Sequence, residues 1–128
     1  KDTLTNYKSG LSPRSEIFRL VVDELSKLSK LKGKRSVLLF ADLKEHSFFS
    51  VYKKQDVQEL LLHPKRTQKR FENATVIPND LKGIELHIIY TPSLKEDQVF
   101  TAMINLYRNV FESRGATIQI TRSQTVKF

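Results

Sequence analysis

The sequence contains no cysteine. That excludes disulfides and thiolate-held metals, and it leaves the redox compartment open, since a cysteine-free chain serves on either side of a membrane. No apolar run approaches the roughly 20 residues that a membrane-crossing helix needs, so no membrane insertion is expected. Glycine occurs only four times in 128 residues. It forms no Gly-rich loop that could cradle a phosphate, which argues against the usual nucleotide-binding motifs. A Gly-x-Ser-x-Gly nucleophile elbow is missing as well, and His46, His63 and His87 have no metal-ligand spacing. Acids are the scarcer charge. Against 22 Lys and Arg there are 14 Asp and Glu, a formal net charge of +8, which favours acidic partners such as nucleic acid, anionic lipid or an acidic protein.

What is present suffices for one domain with one core, 39% of the residues being apolar. Residues 1–11 are polar and read as a flexible arm without the apolar stretch of a secretory signal. Residues 12–128 read as a single domain, or as a fragment of a longer one, in keeping with a start at Lys1 rather than methionine. A first helix is expected from Ser12-Pro13, a cap followed by a proline suited to the first turn. Its apolar stripe comprises Ile17, Leu20, Val21, Leu25, Leu28 and Leu31, with Gly33 ending it. A last helix follows the capping-box spacing of Ser93 and Glu96. It carries Val99, Met103, Leu106, Tyr107 and Val110 on one face, widened by Phe100, Ile104 and Phe111, and Gly115 stops it. Between them, 36–41 (SVLLFA), 84–90 (IELHIIY) and 116–121 (ATIQIT) read as buried strands. Such runs alternating with amphipathic helices predict a parallel sheet covered on both faces. A weaker helix is expected over 56–62, stopped at His63-Pro64. Residues 65–78 are ambiguous, a short helical turn near Arg70 and a minor strand at 75–77 being the readings they suggest. The fold class that follows is α/β, a three-layer α/β/α sandwich around a mainly parallel sheet.

Several segments resemble the von Willebrand factor A-like family. Leu38-Leu39-Phe40-Ala41-Asp42 looks like the strand that runs out into an aspartate. Ser15-Glu16-Ile17-Phe18-Arg19-Leu20 is similar to the threonine-led segment opening the preceding helix, and Leu81-Lys82-Gly83-Ile84-Glu85-Leu86 to the glycine turn leading into the next strand. The stretches Ala41-Asp42-Leu43-Lys44-Glu45-His46-Ser47-Phe48-Phe49-Ser50-Val51-Tyr52 and Phe111-Glu112-Ser113-Arg114-Gly115-Ala116 resemble a bacterial branch of that family. The resemblance spans 12–121 and implies the C-terminal half of a Rossmann-like, von Willebrand factor A-like topology. It also implies a divalent ion, Mg2+ or another, at the strand ends, with Asp42, Ser15 and Ser12 as ligands. The family's Asp-x-Ser-x-Ser loop is absent from this chain, so water would complete most of a shell of about six oxygens. Helix capping accounts for Ser12 and Ser15 better than a ligand role does, and Asp42 suits a turn cap as well as a ligand role.

The function implied is a non-catalytic interaction domain that meets a protein partner through the loops around Ser15, Asp42, Glu45 and Thr91. Without the family's first strand, 36–41 has a bare edge, to be covered by residues upstream or by pairing with another chain, a homo-oligomer included. The alternative is a basic nucleic-acid-binding accessory protein of a bacterial mobile element. It would use the cluster Lys65, Arg66, Lys69 and Arg70, whose phosphate contacts would be salt-sensitive. Glu45, His46 and Ser47 lie too close in sequence to converge as a hydrolytic triad, and His87 reads as a packed or hydrogen-bonded core histidine.

Overall fold

The computed structural model describes residues 16–40, 43–90 and 97–122. Along the chain come α1 (Ile17–Ser29), β1 (Arg35–Phe40), α2 (Lys54–Leu62), α3 (Pro64–Ala74), β2 (Ile84–Tyr90) and α4 (Asp97–Phe111). A 3-10 turn (Glu112–Arg114) and β3 (Thr117–Arg122) complete it. The three strands form one sheet in the order β1-β2-β3, both pairings parallel. The fold is therefore mixed α/β on a parallel sheet, as the alternation of apolar runs and amphipathic helices predicts. All three expected strands lie within one residue of their predicted bounds.

The sheet's two faces differ. In register, Val37 sits beside Leu86 and Leu86 beside Ile118, and the next row is Leu39 beside Ile88 and Ile88 beside Ile120. This face joins the buried residues of every helix in one core. Phe18 of α1 touches the rings of Phe71 from α3 and of Tyr107 and Phe111 from α4 at 4.9–5.6 Å. The opposite face carries Ser36, Leu38, Glu85, His87, Ile89, Thr117 and Gln119, none of them buried. The second helical layer expected from the sequence has no counterpart among the described residues. Topology supplies the reason: crossovers in parallel sheets are right-handed, and two that step the same way across a sheet lay their helices on the same side. The period-two alternation of Ile84-Glu85-Leu86-His87-Ile88 and Thr117-Ile118-Gln119-Ile120 marks a strand buried on one side only.

Some helical expectations are corrected. The Ser12-Pro13 start and the Ser93/Glu96 box lie outside the described residues. Helix α1 ends at Ser29, so Leu31 falls past the last turn and is 57% exposed, while Val22 takes a core position that the expected stripe omitted. The proline at 64 starts a helix rather than merely ending one: α3 runs three turns from it, Pro64 standing where a missing N–H costs nothing. It buries only Thr67 and Phe71, one turn apart, so its apolar signal is faint. No strand forms at 75–77. Gly115 ends the 3-10 turn at φ +106°, where a Cβ would stand 2.9 Å from the backbone nitrogen of Lys82.

Candidate functional site

Loops after the strands' C-terminal ends are where open α/β sheets bind ligands. The chain leaving β1 forms a tightly cross-braced loop over residues 43–53. His46 and Ser50 make an antiparallel bridge. Ser47 N–H donates to Phe49 C=O (2.8 Å), Val51 N–H to Glu45 C=O (3.0 Å) and Lys53 N–H to Ser50 C=O (3.1 Å). Leu43 adopts φ +58°, an unusual conformation for a leucine, and is fully buried. Phe49 is buried against Phe71, and Phe48 meets the same ring edge-on.

Arg70 of α3 pins this loop from below. Its guanidinium donates to Asp56 Oδ1 (3.0 Å), Glu59 Oε1 (2.9 Å) and Phe48 C=O (2.8 Å), and it lies over the Phe49 ring. Asp56 also accepts the Ser50 N–H at 2.9 Å. The hydrogen bond from Arg70 is the main cause holding the Glu59 carboxyl below its ordinary range. On the other side Glu45, 1% exposed, accepts the Phe18 N–H of α1 (3.0 Å) and the Ser47 hydroxyl (2.6 Å). Burial pushes its carboxyl up to about 7, partly offset by those hydrogen bonds.

The predicted site residues fare unequally. Asp42, Ser12, Ser15 and Thr91 lie outside the described residues. One carboxylate with two hydroxyls does not fit a tightly held ion, which takes six or more oxygens. Among the described residues no three His, Cys, Asp or Glu side chains converge to help them. The basic cluster divides. Arg70 is committed internally, whereas Lys65, Arg66 and Lys69 are exposed and their side chains make no hydrogen bond or ion pair among the described residues. Phe71, the one aromatic residue adjoining that cluster in the sequence, is buried.

Glu45, His46 and Ser47 do not form a relay. Ser47 donates to Glu45, while His46 Nδ1 pairs with Ser50 Oγ at 2.7 Å. Ser50 is completely buried, which denies a substrate any approach to that hydroxyl. His87 is hydrogen-bonded, to Glu85 at 3.1 Å, but on the open sheet face instead of in the core.

Sequence reasoning missed Tyr52 and Phe48, which are 65% and 39% exposed on the braced loop, and the exposed Lys53 and Lys54 beside them. The signal was present as Phe-Phe-Ser-Val-Tyr-Lys-Lys, but alternation does not say which of three aromatic residues a loop will bury. No family model, no curated protein and no solved structure matches this chain.

Proposed function

We propose that this chain is a non-catalytic interaction domain that recognises a protein partner, built on a von Willebrand factor A-like, Rossmann-type plan whose third layer another polypeptide segment supplies. The observation that carries this reading is the open face of the sheet. Parallel sheets occur almost only with both faces covered, yet Leu38 stands 53% exposed between Ser36 and the half-buried Ile89 and His87. At the same sheet's margin, β1 pairs with β2 alone among the described strands. Its sequence, Arg-Ser-Val-Leu-Leu-Phe, has the composition of an interior strand and none of the prolines or central charges that blunt a free edge. A protein surface fits both features, because it can supply apolar contact to the face and backbone groups to the edge.

The second reading, nucleic-acid binding, is favoured by one observation, the exposed Lys65, Arg66 and Lys69 of α3, whose side chains make no hydrogen bond or ion pair among the described residues. One experiment separates the two. A photo-crosslinking amino acid is placed at position 38 or at position 69, and the protein is irradiated in extract of its source cells. Protein adducts concentrated at position 38 are expected. Nucleic-acid adducts at 69 with none at 38 would exchange the first reading for the second, and silence at both positions would remove both.

A further inference from the structure

We propose that the braced loop after β1 is the recognition platform for an acidic protein segment, with Tyr52 as its aromatic anchor and Lys53 and Lys54 as its charge contacts. The inference rests on the interaction-domain reading and names the partner's chemistry.

Rigidity comes first. Tyr52 is 65% exposed, yet its N–H donates to Ser50 Oγ at 3.1 Å and its ring meets His46 edge-on at 5.6 Å. His46 is itself held by Ser50, and Ser50 by Asp56. A free-standing tyrosine on a flexible loop loses conformational freedom when it binds. This one is already oriented, so little is lost on contact. Solvent-facing rings held in this manner match the anchors that dominate protein interfaces.

Charge sets the partner's sign. The described acids around the loop are consumed internally: Asp56 and Glu59 by Arg70, and Glu45 by the first turn of α1 and Ser47. Lys53 and Lys54 are exposed, and their side chains make no hydrogen bond or ion pair among the described residues. Among the described residues the solvent-facing charge beside Tyr52 is therefore positive, which steers and retains carboxylates. A single-stranded nucleic acid fits less well. It needs successive rings for successive bases and cations tracking its backbone. Among the described residues of this loop only Tyr52 is mostly exposed, since Phe48 is 39% exposed and packs on the core ring of Phe71.

The test uses the full chain and two labelled probes, a random Glu/Tyr copolymer and the oligonucleotide (dT)20, each titrated by fluorescence anisotropy. The copolymer is expected to bind. Tyr52→Ala, and separately the pair Lys53→Gln and Lys54→Gln, should each weaken it at least fivefold. The pair Lys65→Gln and Lys69→Gln should stay within twofold of the parent. These side chains are exposed, and an unchanged melting temperature shows that the lysine pair reports contact rather than folding. Absent copolymer binding, or equal binding by parent and variants, overturns the proposal. So does tighter binding of (dT)20 that falls with the same variants, which makes the occupant nucleic acid. Adducts at position 38 that persist in Tyr52→Ala leave the interaction-domain reading standing even if the platform fails.

Discussion

Burying a carboxylate without a cation is costly, yet Glu45 makes no ion pair with any described residue. It repays the cost locally. Glu16, at the N-cap position of α1, gives no side-chain cap, and Glu45 reaches in from 27 residues away to accept the Phe18 N–H. Ser47 and the backbone of Ile17 help to stabilise the anion, while burial chiefly, and Glu16 in addition, favour the neutral acid. On the far side Tyr107, its hydroxyl buried without a hydrogen-bond partner among the described residues, is pushed well above its ordinary value by burial and then by Glu45. The folded-state value of about 7 exceeds the ordinary 4.5. The native state therefore holds this proton more tightly than the unfolded chain does. Stability from this group is full below about pH 4.5 and is lost as pH rises through about 7. The loss should be on the order of 3 kcal/mol. Glu45→Gln keeps an acceptor for Phe18 and cannot ionise. Denaturant melts at pH 5 and pH 8 should show the parent weakening and the variant level over that interval. Parallel behaviour of the two proteins would show that Glu45 does not carry the dependence.

At the scale of elements, Arg35 joins three of them. Its guanidinium donates to the carbonyls of Leu28 (2.9 Å) in the last turn of α1 and Leu31 (2.7 Å) just past it, and to Lys82 (2.7 Å) in the turn before β2. Its Nε–H donates to Gly33. A cation at a helix C-terminus also opposes the helix dipole. Arg35→Lys keeps the charge but cannot hold this planar fork of bonds, and should cost about 1–2 kcal/mol. A thermal melt lower by a few degrees is expected, and an unchanged one would show the bonds to be ornamental. None of this could be read along the chain, because Lys82 lies 47 residues from Arg35. Strands and strongly periodic helices were legible, as α4 shows: Met103, Ile104, Leu106, Tyr107, Val110 and Phe111 are all buried as their spacing implies. Helix α3 was not, since Thr67 and Phe71 alone carry its inner face. The platform was legible only as composition: Phe48, Phe49 and Tyr52 look alike in the sequence, and only the packing of Phe49 against Phe71 beneath the Arg70 guanidinium separates them. Arg70 itself read as a free cation until α3 turned it towards Asp56 and Glu59.

For the whole molecule, the governing fact is that one side of the sheet holds the core and the other holds Leu38, Ile89 and a set of polar groups. Leu38 and Leu39 are neighbours in β1, identical in chemistry and opposite in direction, since successive side chains of a strand alternate. Leu39, 4% exposed, lies in the core. Its truncation to alanine removes packed methyl groups and should cost about 2–5 kcal/mol. Leu38, 53% exposed, has little packing to lose, and Leu38→Ala should leave the stability of the isolated chain within about 0.5 kcal/mol. The contrast bears on function as well as fold. If the open face awaits a partner, Leu38→Ala is silent in the isolated chain and weakens only the complex. Equal losses from the two alanine variants in a denaturant titration would mean that the chain covers this face by itself. The sheet would then have no free surface to offer, and recognition would have to run through the strand-end loop alone.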